Sequence, residues 1–239
     1  MHSVKSRHFS FPAAVTRLLV AVPHPDDETA YAAGIIKRAS DSGTDVRVVC
    51  FTRGEKSTLR YGLAPDADLV SHRAAELAAA LKILRATSHH IYDIPDGGIE
   101  DNTARTAAVF REEMQSFRPD LVLTLEPSGI YGHPDHIALS RTVTRETDQS
   151  GTLLGYLTVM PGYRQHPSTQ HMAKDIDCVR PVEPEVEVIL SPLDVLTKLR
   201  AFRSHRSQFS ITPDFLYNWY TRRLLTREYL RYADRKVRD

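Results

Sequence analysis

Two short polar clusters hold residue types that can do chemistry together, His24-Pro25-Asp26-Asp27-Glu28 and Tyr131-Gly132-His133-Pro134-Asp135-His136. Each follows an apolar run, residues 18–22 and 120–125, and each leads into a stretch with helical spacing. His and Asp three positions apart can converge on one cation if the chain turns between them, and Pro25 favours such a turn. His24, Asp27 and His136 supply two imidazoles and one carboxylate, a set that leaves positions on a divalent metal for water and substrate. Zinc held in this way lowers the pKa of its water to about 7 and polarises a carbonyl oxygen, which is what hydrolysis needs. Asp26 is then the natural base for the water's proton. His133, as an imidazolium, can donate to a developing oxyanion and protonate a leaving amine.

Spacing alone does not separate His133 from His136 as a ligand, nor Asp26 from Asp27. Two imidazoles and a carboxylate are also the set of non-haem iron(II) oxygenases. A further alternative is a sugar- or nucleotide-binding α/β module with a structural metal or none. Asp26, Asp27 and Glu28 also suit the first turn of a helix, where the dipole favours acids, although that leaves His24 and the second cluster without a purpose.

The elements that must position these residues alternate. Strands are expected at residues 17–22, 46–51, 90–94, 120–125 and 154–160, with helices at 27–40, 71–84, 102–117 and 135–147 between them. Strands separated by helices pair in parallel, so the pattern is α/β with a mostly parallel sheet and both clusters at the carboxyl ends of strands, where such sheets bind ligands. Residues 1–15 read as an arm without clear periodicity, and 161–184 as an irregular, proline-containing excursion within a single domain covering 1–239. A strand over 186–190, a helix over 192–203 and a terminal amphipathic helix over 214–232 complete the reading.

The 31 lysines and arginines nearly cancel the 30 aspartates and glutamates. That balance gives no footprint for nucleic acid or a membrane surface. Two cysteines point away from a disulfide framework and towards a reducing compartment. No run approaches a membrane span and the first fifteen residues lack an apolar export segment, so a cytoplasmic protein is expected.

The HPDDE stretch after a first strand, followed about 110 residues later by YGHPDH, resembles the zinc-dependent de-N-acetylases of the PIG-L or LmbE-like family, which act on N-acetylglucosamine derivatives. Similarity extends through Thr52-Arg53-Gly54-Glu55, the RAAEL stretch from Arg73, Pro95-Asp96-Gly97, the segment 198–208 and Glu228-Tyr229. The resemblance implies a Rossmann-like three-layer sandwich and release of acetate from an N-acetylated amino sugar or glycoconjugate. It implies one zinc on His24, Asp27 and His136, with Asp26 as base and His133 as acid or oxyanion partner. Tyr131 matches a tyrosine near the scissile amide, and Arg73 and Asp96 match positions that contact the sugar. Self-association, common in the family, is a further expectation. Glu28 is expected to give support rather than chemistry, and His205 and Gln208 match a family pattern without a role that spacing can assign.

Overall fold

Strands built from β-branched and aliphatic runs, with amphipathic helices between them, assemble into one eight-stranded sheet in a computed structural model that describes residues 5–7, 14–163, 167–211 and 219–233. In chain order the elements begin with β1 (Lys5–Arg7), β2 (Arg17–Val22), α1 (Asp27–Asp41), β3 (Asp45–Thr52), α2 (Leu69–Leu84) and β4 (Ser88–Ile94). They continue with α3 (Thr103–Phe117), β5 (Leu121–Leu125), the single turn α4 (Gly129–Gly132), α5 (Pro134–Ser150) and β6 (Leu153–Thr158). The chain then runs through β7 (Val186–Ile189), α6 (Pro192–Ser204), α7 (Trp219–Thr226) and β8 (Arg227–Tyr232). The order across the sheet is β1-β7-β8-β6-β5-β2-β3-β4.

Apolar residues fill both faces of β2 and β5, as a sheet covered on both sides requires. Leu18, Val20 and Val22 face a core shared with Ile35, Leu77 and Phe202, while Leu19 and Ala21 face one shared with Phe110, Leu139 and Val143. The helices α1, α2 and α6 thus cover one face and α3 and α5 the other, giving the three-layer sandwich expected. From β2 the chain moves outward to β3 and β4, then returns to add β5 on the other side of β2. The β2/β5 boundary is therefore the topological switch point, and both polar clusters leave the sheet there.

The terminal helix over 214–232 is a correction. The described part of that stretch is α7 followed directly by the strand β8, which pairs antiparallel with both β6 and β7 and is the sheet's sole strand against the common direction among the described residues. Glu228, Tyr229 and Leu230 are buried in succession, as in a strand covered on both faces. The apolar spacing of this short segment fits either element, and tertiary packing decides. The arm also holds more than expected, since β1 pairs in parallel with the edge of β7 through backbone groups that carry no apolar signature. Among the described residues between β6 and β7, the regular elements are the 3₁₀ turns Pro167–Met172 and Ile176–Cys178.

Candidate active site

Three donor atoms meet at the switch point. His24 Nδ1 lies 3.4 Å from Asp27 Oδ2 and 3.3 Å from His136 Nε2, and His136 Nε2 lies 3.5 Å from Asp27 Oδ2. Ligands on a tetrahedral zinc at about 2.0–2.1 Å stand roughly 3.3–3.4 Å apart, so the triangle matches the face such an ion would need. The residues present fit zinc in number, type and spacing. His24 reaches the site from the turn after β2, Asp27 from the first turn of α1 and His136 from the first turn of α5.

His24 is oriented from behind. The other ring nitrogen of His24, Nε2, donates to Asp96 at 3.1 Å and to Asp135 at 3.3 Å. Asp135 in turn accepts from the Gly97 and Ile99 amides, and Asp96 from the Lys56 amide, which ties the second polar cluster and the Pro95-Asp96-Gly97 turn to the first. His24, Asp96 and Asp135 are close enough to resemble a second cation site, as are His24, His133 and His136. The two carboxylates, however, already hold backbone amides, and His133 Nδ1 accepts from the Asp135 amide at 3.2 Å. Carboxylates behind a histidine fix its tautomer and ring plane for metal at the opposite nitrogen.

Charge follows this arrangement. Burial works against a charged His24, but its hydrogen bonds to Asp135, Asp27 and Asp96 outweigh it and raise its pKa well above the ordinary value. Burial would raise Asp27, yet His136 and His24 draw its carboxyl down to about 2. Burial lowers His136 to about 3, leaving a neutral imidazole suited to ligation. Burial and the charge on His24 also lower His133, to about 4. It is therefore neutral near pH 7, rather than the imidazolium expected from sequence, and with Nδ1 accepting, its proton sits on Nε2.

Asp26 is held in a different way. Its φ of 138° is one that non-glycine residues rarely adopt, and it stands directly before α1. The Asp26 amide donates to Glu28 Oε2 at 2.9 Å, and Arg73 Nη2 approaches Asp26 Oδ2 at 3.2 Å. Burial raises the Asp26 carboxyl to about 6 even with Arg73 pulling it down.

Arg73, matched in sequence to a sugar-contacting position, is buried, with its guanidinium donating to the Gly54 and Pro25 carbonyls as well as to Asp26. A Cβ on Gly54 would stand 2.0 Å from Arg73 Nη1, so the glycine of the Thr52–Glu55 stretch makes room for this side chain. Asp96, the other residue matched to sugar contact, is engaged with His24. Tyr131 brings its hydroxyl to 3.3 Å from His136 Nε2 and is half-buried. It sits on a strained turn, Ile130 having φ 66°, which Glu126 stabilises by accepting from the Ser128 and Ile130 amides.

The structure thus gathers His24, Asp26, Asp27, Tyr131, His133 and His136 around one point, with Arg73 and Asp96 behind them. Sequence reasoning gave no role to Asp135 or Glu126. Asp135 had a signal, an acid between two histidines that is ordinarily read as a helix-start residue, whereas nothing local marks Glu126.

An α/β fold with a histidine-carboxylate cluster at its switch point defines a class, the metal-site hydrolase type of Rossmann-like protein. The family described as GlcNAc-PI de-N-acetylase, PIG-L, matches residues 19–147, more than half of the chain, and the protein belongs to that family. A 1D-myo-inositol 2-acetamido-2-deoxy-alpha-D-glucopyranoside deacetylase of Mycobacterium sp. (strain JLS) is 31% identical over 84% of this chain and 76% of its own. Among solved structures, the A40926 pseudoaglycone deacetylase Dbv21 superposes with a TM-score of 0.71 at 22% identity, over 93% of this chain and 99% of its own. The N,N'-diacetylchitobiose deacetylase of Pyrococcus horikoshii gives 0.64 at 23% identity, over 92% and 84%. Among the described residues, no helix is long and apolar enough to cross a membrane.

Proposed function

We propose that this protein removes the acetyl group from an N-acetylglucosamine-type amino sugar or its conjugate, releasing acetate and a free amine. The observation that carries the reading is Asp26, a strained carboxylate raised to about 6, beside a donor triangle of zinc dimensions. His24, Asp27 and His136 would hold the metal, which when bound supplies Lewis acidity towards the acetyl carbonyl and the attacking water.

Asp26 accepts the proton of the attacking water. A pKa near 6 leaves it ionised at neutral pH yet basic enough to act, a role generally worth about 10² to 10⁴ in rate. His133, neutral and protonated on Nε2, donates to the oxygen that gains charge, and the Tyr131 hydroxyl is a second donor near His136. The proton held by Asp26 then passes to the nitrogen and the amine departs. Arg73 orients Asp26, and Asp96 with Asp135 orients His24.

The inositol conjugate named for the mycobacterial relative is the first substrate to try, since that relative is 31% identical over 84% of this chain. The test is acetate release by zinc-loaded protein from N-acetylglucosaminyl inositol, N-acetylglucosaminyl malate, N-acetylglucosamine and diacetylchitobiose. Release from at least one, abolished by chelation and restored by zinc, is expected. Oxygen consumption by an iron(II)-loaded sample without acetate release would overturn the reading.

A further inference from the structure

His205 lies at the end of α6, far from the metal triangle in sequence, and is fully buried. Its Nε2 donates to Glu28 Oε1 at 2.8 Å. The other oxygen of Glu28, Oε2, accepts from the Asp26 amide at 2.9 Å. A chain of two hydrogen bonds therefore runs from α6 to Asp26, whose backbone is strained at φ 138°. Thr29 adds its hydroxyl to Glu28 Oε1, so no acceptor on Glu28 faces the reaction.

The ligands do not depend on this chain. Asp27 is fixed by the His24 amide, which donates to its Oδ2, and His24 by Asp96 and Asp135. Among the described residues the Asp26 side chain has no hydrogen bond beyond that from Arg73, and a strained backbone of this kind persists where its surroundings over-determine it, here through the bond from its amide to Glu28. If that amide is released, φ relaxes, Cβ swings and the carboxylate leaves its place.

We propose that His205 is a positioning residue that acts through Glu28 to hold the Asp26 backbone in its strained conformation and so aims the base. The role rests on Asp26 being the base. The motif around residues 204–208 gains a purpose from this arrangement, and Glu28 becomes the link between α6 and the first turn of α1.

The test combines kinetics with amide exchange on the full-length zinc-loaded protein. His205→Ala is expected to keep its zinc and a KM within about twofold while kcat for acetate release falls about 10–100-fold, the range seen for groups that orient a site from behind. His205→Gln, whose amide nitrogen can donate to Glu28, should recover most of that loss. Combined with Asp26→Asn, His205→Ala should add no further loss, because both act on one function. Hydrogen exchange at the Asp26 amide should be at least about 10-fold faster in His205→Ala and in Glu28→Gln than in the parent, a change expected when a buried hydrogen bond is lost.

That last readout needs no substrate, so it decides the proposal even if no acetate is released from any compound. Unchanged Asp26 exchange in both variants, or an additive loss in the double variant, would overturn it. If His205→Ala does not fold, Glu28→Gln and His205→Gln carry the same comparison.

Discussion

Helix α1 holds buried charge at two places, and they differ in kind. At its first turn stand Asp26, Asp27 and Glu28, with a backbone outlier, a carboxyl raised to about 6 and two imidazoles, His136 and His205, whose Nδ1 atoms are buried without a hydrogen-bond partner among the described residues. One turn further on, the ion pair Lys198–Glu228 is fully buried at 2.7 Å. There Lys198 donates to the Ala30 carbonyl, and Glu228 accepts from the Gly34 and Ile35 amides. Among the described residues no side-chain atom of this pair is left without a partner, and Gly34 makes room chiefly for Leu190, whose Cδ2 would stand 2.3 Å from a Cβ there, with Glu228 Oε2 at 3.3 Å. Strain and unpartnered imidazole nitrogens mark the proposed site, while paired charges and backbone bonds mark the place where α1 is joined to α6 and β8.

The largest effect should come from breaking the first place. Asp26→Asn is expected to lower turnover about 10²–10⁴-fold while the metal stays bound and the melting temperature holds or rises, because a buried carboxyl disfavoured by desolvation has been removed. His136→Ala should lose metal as well as turnover, since it removes one vertex of the donor triangle. Acetate release, zinc stoichiometry and thermal melts on both variants measure this, and equal metal loss in the two would erase the distinction between base and ligand.

Breaking the second place should do the reverse. Lys198→Met leaves Glu228 buried without its cation and should cost about 3–5 kcal/mol of stability, read as a lower urea midpoint. The remaining folded protein should keep its turnover within about twofold. Adding Glu228→Gln should return part of the stability, because an uncompensated charge is then no longer buried. Loss of turnover at equal folded fraction would show that the two places act as one.

A smaller change sharpens the division within the site. Asp96→Asn keeps shape at His24 but removes a charge from its far nitrogen, and metal affinity should fall about 10–100-fold, or roughly 1.4–2.7 kcal/mol. Competition with a chelator measures it, and Asp26→Asn serves as the control that should leave affinity unchanged.

How far this was legible in the sequence differs by the range of the interaction. The parallel core and its strand ends could be read because β2, β3 and β5 are continuous apolar runs and α1 and α5 begin at recognisable turns. The two clusters that carry His24, Asp27 and His136 were visible because ligand types recur at strand ends, while choosing these three over Asp26 and His133 took the family resemblance. Glu28 was expected as a support, but the partners of Asp135 and His205 were not visible, since they lie 36 to 177 positions away and local spacing carries no trace of such pairs. Arg73 shows the same limit from the other side. A pattern match points towards a sugar, whereas packing against Gly54 turns the guanidinium to Pro25 and Asp26. For β8, a few residues whose apolar spacing suits either period could not show that the segment lies between β6 and β7.

The smallest effect belongs to a carboxylate at the opposite end of the sheet, where bonding is complete but solvent is near. Asp120 accepts from the Thr16 hydroxyl and from the Thr16 and Arg17 amides, joining the starts of β5 and β2. Chiefly the Thr16 hydroxyl bond holds its carboxyl below the usual range. A lowered pKa means that stability from Asp120 is present above the unfolded value of about 3.9 and is lost as pH falls through the folded one. Asp120→Asn should therefore lower stability near pH 7 by about 1 kcal/mol or less, some 2–4 °C in melting temperature at most, after allowing for solvent screening. The gap between variant and parent should close as pH drops below about 4, since the parent's carboxylate is then protonated. Melting curves from pH 7 to 3 measure this, and a gap that stays constant would mean that Asp120 contributes through shape rather than charge.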